Sequence, residues 1–121
     1  MTFPDVEAMV IDFLNTRIVP PVSGKVPTPR PVKFVRAWRT GGAAVNRILE
    51  RPTITIQGWA EDDAEAAALT RECREFLLNQ YTLMPLVRGV EEITGPYFDP
   101  DPDTGIDRYS CSIQLSVRAA R

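Results

Sequence analysis

Asp99, Asp101 and Asp103 alternate with Pro100 and Pro102, and acids spaced by one residue open the calcium loop of helix–loop–helix proteins. That loop also needs a glycine at its sixth place and a bidentate acid at its twelfth. Counted from Asp99, those places hold Thr104 and Ser110, so the calcium pattern fails. The two prolines hold the segment extended, and it reads as a stiff acidic loop. Cys73 and Cys111 are too few for a four-thiolate metal site or a disulfide scaffold. Both fall on apolar faces and read as small buried hydrophobes; whether they touch is open. Histidine is absent altogether. That removes the commonest general base, the Ser-His and Cys-His pairs and the usual zinc ligand. No glycine-rich phosphate loop appears and no nucleophile has a base beside it. The expectation is a protein that is not an enzyme and needs neither cofactor nor metal.

A second constellation interleaves Lys33, Arg36 and Arg39 with Phe34 and Trp38, as in platforms for single-stranded nucleic acid. The pI near 5.1 is acidic where such binders are basic. Phe34 and Trp38 also share one parity of a strand, which reads as core. The net charge of −2 hides a segregation. Arg17–Arg51 carries eight cations, Arg47 and Arg51 among them, against Glu50 alone, a block of +7. Glu61–Glu75 and Arg88–Arg108 each come to −4. Opposite blocks on one small domain suit nucleic-acid contact, head-to-tail packing of copies, or plain solvated faces.

The elements that must position these groups follow from periodicity. The 121 residues suit one domain, with 44% hydrophobic and 25% charged residues in an ordinary globular balance. Apolar runs are too short for a membrane span and no charged-then-apolar leader opens the chain. Val6, Met9, Val10, Phe13 and Leu14 predict a helix over 4–16, with Pro4 in its first turn and Thr2 or Phe3 ahead of it. The proline-rich stretch 18–31 predicts an extended crossing. Strands are expected over 32–40 and 53–60, with Gly41-Gly42 as a tight turn or flexible loop between them; 44–49 stays open. A second helix over 62–80 begins with Asp62 and Glu65 spaced as a capping box. Strands over 86–94 and 107–118 follow. The last alternates Tyr109, Cys111, Ile113, Leu115 and Val117 against Arg108, Ser110, Ser112, Gln114, Ser116 and Arg118, giving a buried and a wet face. The loop 95–107 between them, with Tyr97 and Phe98 at its base, is expected to project and meet a partner. The order helix-strands-helix-strands predicts an α+β fold: a mostly antiparallel sheet packed with two helices.

The succession of segments goes further than composition. The opening helix and proline-rich crossing lead into VRAWRTGG (35–42), NRILERP (46–52) and IQGWA (56–60). An alanine-rich helix follows, then GPYFDPDPDTG (95–105) and a closing strand opened by Arg108-Tyr109. Over nearly the whole chain this resembles the tail terminator proteins of long-tailed actinobacterial phages, related in fold to those of lambda-like siphophages. The resemblance implies a hexameric ring that caps the tail tube, ends its elongation and offers a docking surface to the head. The implied partners are other copies of the chain, the major tail tube protein and a head-side connector or head-closure protein, with genomic DNA passing the lumen as cargo and no membrane. The implied location is the head-proximal end of the virion tail, assembled in the bacterial host's cytoplasm. Head-tail connector and head-closure proteins of the phage neck are alike in size and composition and form the alternative. A small single-stranded nucleic-acid binding module is the alternative from another class. For the ring, the candidate interface residues are Arg36, Arg39, Arg47, Arg51, Tyr97, Phe98, Asp99, Asp101 and Asp103.

Overall fold

Asp5 decides where the first helix begins. Its carboxylate accepts the Ala8 N–H at 3.1 Å, so α1 runs Val6–Asn15 with Asp5 as its N-cap. The helix therefore starts later than its apolar stripe suggests, and Pro4 stands outside it. Thr2 caps nothing and instead exchanges backbone hydrogen bonds with Ala120. Asp62 caps α2 (Asp63–Gln80) by accepting the Glu65 N–H at 2.8 Å; Glu65 makes no return bond, so only half of the expected box forms. The structure is a computed structural model that describes residues 1–121. None of its helices is long and apolar enough to cross a membrane.

Five strands form one sheet in the order β1-β2-β3-β5-β4. They are β1 (Val22–Ser23), β2 (Phe34–Ala44), β3 (Leu49–Trp59), β4 (Val87–Phe98) and β5 (Arg108–Arg118). Only β1 pairs in parallel, with β2; every other pairing is antiparallel. The fold is α+β, in the expected order of helix, strands, helix, strands. The proline-rich crossing, expected to run extended, does so as a strand only at Val22–Ser23 and bends at 19–20, 24–25 and 28–29; Asn15 pins it by bonding both the N–H and the carbonyl of Val22. Both helices lie on one face of the sheet, α1 over β1 and β2, α2 over β3, β5 and β4. Between the layers sit Val10 and Leu14, Leu69, Cys73 and Leu77, Val35 and Ala37, Ile54 and Ile56, and the expected row Cys111, Ile113, Leu115 and Val117.

Several boundaries move for physical reasons. Gly41-Gly42 is no turn: β2 continues to Ala44 and the chain reverses at residues 45–48. Gly42 adopts φ +89° where a Cβ would overlap the Arg51 carbonyl across the hairpin, so the glycine serves close strand approach. Arg51-Pro52 lies inside β3. The loop 95–107 shrinks because β4 runs on to Phe98. Pro96 is tolerated there on an edge strand, beside a register shift between Thr94 and Tyr97. Val35 and Ala37 take the helix-facing parity, so Phe34 and Trp38 lie on the face without helices: Phe34 is fully buried there, as expected of a core residue, while Trp38 stays half-buried. That wet face is also less wet than expected, since Gln57 and Ser110 are buried.

The seat of α2 is Gly58. A Cβ at Gly58 would overlap the Thr70 hydroxyl, and the Gly58 N–H donates to that oxygen at 3.0 Å. The hydroxyl's single proton has the carbonyls of Ala66 and Tyr109 within 3.0 and 3.1 Å. Gly58→Ala is expected to destabilise the fold by about 1–3 kcal/mol through overpacking. Thr70→Val should cost a similar amount, about 1–3 kcal/mol, by orphaning a buried N–H. Chemical denaturation checks both; an unchanged midpoint for Gly58→Ala contradicts the close approach.

Candidate interaction surfaces

The basic stretch is largely consumed within the chain. The Arg36 guanidinium lies 3.8 Å over the Trp38 ring, and its Nε donates to the Gly24 carbonyl. One indole face is thereby covered by an internal cation instead of standing open for a base. Arg39 donates to Glu50 at 3.3 Å and to the Gly41 and Gly42 carbonyls, while its own N–H goes to Glu7 on α1. Glu50 is buried and keeps one carboxylate oxygen without a partner. Arg39 therefore ties the base of the β2–β3 hairpin to the body.

Beyond that tie the β2 leg and the turn of the hairpin stand exposed, while the β3 leg stays paired with β5 from Leu49 onward and the Ile48 carbonyl accepts the Ala119 N–H. Every residue from Thr40 to Ile48 is exposed, and Arg47 and Arg51 form no ion pair. Val45 and Ile48 at the tip expose 54% and 42% of their surface. The tip turn is fixed by Asn46, whose Oδ1 accepts the N–H groups of Ile48 and Leu49.

At the other end of the sheet the acidic loop folds back instead of projecting. Asp99 accepts the Ser110 hydroxyl at 2.8 Å and the Gln57 amide at 3.4 Å, both on the helix-free face. The Arg108 guanidinium lies between the Asp99 and Asp101 carboxylates, at 3.7 and 3.8 Å. Asp101 accepts the Thr104 hydroxyl at 2.5 Å, and that bond foremost holds its carboxyl below the ordinary 3.8. Asp103 alone of the three alternating acids stays exposed and unpaired. Tyr97 and Phe98 are about half exposed, Phe98 tilted against Tyr109. The nine candidates thus do not converge on one patch.

The loop's return helps to form a feature that sequence reasoning missed. Phe34 and Trp59 face each other in register at the ends of β2 and β3 and stack at 5.1 Å. Both are almost wholly buried, 0% and 3% exposed, and lie beneath an open pocket of about 320 Å³ between the 30–32 segment and the 105–107 loop. Arg108 and Arg30 lie 5.1 and 5.8 Å from the indole. The Trp59 Nε1–H is shielded and has no acceptor. Val32, Ile106, Glu61 and Asp107 complete the walls. The signal for this pair lay in the hairpin register, which places Phe34 opposite Trp59 once the turn is centred on 45–48.

Elsewhere Arg74 grips Glu92 across α2 and β4, which lowers the Glu92 carboxyl. Burial pushes the Cys111 thiol up to about 12 and raises Cys73 as well, leaving both protonated at neutral pH. No cluster of three His, Cys, Asp or Glu side chains could hold a metal ion. No protein-family model and no curated protein matches the chain.

The Asp101 geometry sets a pH dependence. A carboxyl lowered on folding adds stability that is present above its unfolded value and lost as pH falls through the lower folded value. The loop is therefore expected to stay ordered on acidification past pH 3.8 and to loosen below it. The Gly105 amide, which donates to the Asp101 carbonyl at 2.8 Å, reports this in an NMR titration. Asp101→Asn should abolish the step; an unaltered titration in that variant contradicts the assignment.

Proposed function

We propose that this chain is a structural ring subunit that caps the tail tube of a long-tailed phage, ends tube elongation and presents a docking surface to the head. The observation that carries the reading is the ordered set of segments resembling actinobacterial phage tail terminators. On this fold the VRAWRTGG and NRILERP segments run along β2, the 45–48 turn and the start of β3, with residues 40–48 exposed, and the GPYFDPDPDTG segment borders the end pocket. Both sites belong to contact surfaces, in keeping with a protein that acts by stoichiometry and not by turnover. The partners are further copies in a closed ring, the major tail tube protein on one side and the connector or head-closure protein on the other, with DNA passing through the lumen. Its place is the head-proximal end of the tail.

The single-stranded nucleic-acid reading has less behind it. Trp38 is stacked under Arg36 and Arg39 is bound to Glu50, so its proposed platform is self-occupied. Salt-sensitive oligonucleotide binding that disappears in Arg36→Ala or Arg39→Ala would reverse this preference.

Localising the chain in purified particles tests the terminator reading directly. A ring between tube and head is expected, and phage lacking the chain should build tails of uncontrolled length. Tails of normal length that fail to join heads would instead assign the chain to the neck. Copies in the ring contact are expected to separate more readily at high salt, because exposed ion pairs are screened beyond about 10 Å at 0.1 M. Sedimentation across a salt series reads this, and a salt-independent assembly contradicts a charge-guided contact.

A further inference from the structure

Four arginines meet at one end of the sheet. The Ile48 carbonyl accepts the Ala119 N–H and the Leu86 carbonyl accepts the Arg118 N–H, which brings Arg47, Arg88 and Arg118 together beside Arg51 on β3. All four are exposed, and none forms an ion pair within the chain. Arg17, Arg36, Arg39, Arg74 and Arg108, by contrast, are each hydrogen-bonded internally. Leu49 pairs with Arg118 and Thr53 with Gln114; Arg51 alternates with Leu49 and Thr53, so it shares the helix-free face with Arg118, Gln114 and Ser116. There Arg51 and Arg118 are diagonal neighbours, roughly 7–8 Å apart. Of the acids on these strands, Glu50 is buried on Arg39 and Glu92 is gripped by Arg74, which leaves Glu91, opposite Gln114 on the bordering strand. The acids of α1 and α2 belong to the other layer. We infer that this end of the helix-free face binds the phosphate backbone of a nucleic-acid duplex without reading its sequence.

The chemistry of the face selects that partner. Thr53, Gln114 and Ser116 lie beside the arginines and can donate hydrogen bonds to phosphate oxygens. A protein partner calls for an aromatic or aliphatic centre, and an anionic membrane for an inserting apolar row. Those three positions supply neither, and the exposed Val45 and Ile48 sit on the turn, off the strands that carry the face. The acidic pI does not oppose the contact, because the charges are segregated. The exposed acids Glu61, Asp62, Asp63 and Glu65 follow the far end of β3, on the order of 30 Å away along its eleven residues. That is well beyond the screening length of about 10 Å at 0.1 M salt, so they do not cancel the arginines. They repel a duplex at their own end and so turn the arginine end towards it. The contact stands on the charge pattern itself; only the identification of the duplex as DNA crossing a tail rests on the terminator reading.

The test follows the full chain binding a labelled DNA duplex of arbitrary sequence, by fluorescence anisotropy across a salt series. With four arginines on phosphates, affinity is expected to fall about a hundredfold between about 50 and 200 mM salt. Arg51→Gln with Arg118→Gln keeps polar side chains at exposed positions, so its melting curve should match the parent. That variant should bind more weakly at the lower salt and cut the fall to about tenfold. A duplex of unrelated sequence should bind equally well. Arg71→Gln, at an exposed and unpaired arginine on α2, is the control and should behave as the parent. Absence of duplex binding at about 50 mM salt overturns the inference, as does an equal loss in Arg71→Gln. Capture by phosphatidylglycerol vesicles without duplex binding overturns it in favour of a membrane. Self-association that the double variant weakens, without duplex binding, overturns it in favour of another copy of the chain. None of these results decides whether the chain forms a ring in the virion, which the particle map reads independently.

Discussion

Everything in this molecule is referred to the contact between Gly58 and Thr70. A strand backbone bare of any side chain lets α2 come down onto β3, and the Thr70 hydroxyl fills the gap while satisfying the strand's N–H. The helix layer is fixed to the middle of the sheet at that point. The next residue, Trp59, must then face away from the helices by simple alternation. The aromatic pair is thus set by the same strand that seats the helix. Asp62, three residues further on, is where α2 must be capped, and this places acids beside the pocket.

A second tie acts at the other end of the hairpin. Arg39 joins Glu50 on β3 and Glu7 on α1, with the Glu50 side chain only 7% exposed. Removing one member of such a group leaves a shielded charge unmatched, which costs more than the pair contributes when whole. The body is therefore stiff up to Arg39, and the exposed end of β2 begins directly beyond it. The sheet delivers both of its distinctive surfaces at the ends of β2 and β3, while the opposite border, along β4, is braced by Arg74 and Glu92.

Sequence periodicity carried the architecture because alternation and helical stripes depend only on neighbours. The row Cys111, Ile113, Leu115 and Val117 is buried as read, and so is Cys73 on the second helix. Alternation cannot say which face the helices will cover: Phe34 is buried as read, but on the helix-free face against Trp59. Glycine signals were equally ambiguous. Gly41-Gly42 has turn chemistry, but cross-strand crowding by Arg51 demands the same residue within a strand. The acidic loop was misjudged because charge density was visible and Arg108's position between two of those charges was not. Of the candidate residues, Arg47 and Arg51 are free in the structure, while Arg39, Asp99 and Asp101 are spent on internal contacts. Their availability depended on partners far away in the chain, and that information exists only after folding.

The irregular border along β4 has a consequence for behaviour in concentrated solution. An edge strand of twelve residues would ordinarily template growth of a cross-β aggregate. Here three register shifts, Pro96 and the Glu91-Glu92 pair break its ladder into short pieces that no straight strand can match. At the far border β1 covers Val35 and Arg36, the Glu7 carboxylate takes the Arg39 N–H, and the open stretch Thr40–Ala44 is short and broken by the register shift between Arg39 and Gly41. Chains at high local density thus find no long edge to zip onto, and the paths to fibrous precipitate are closed without thickening the fold.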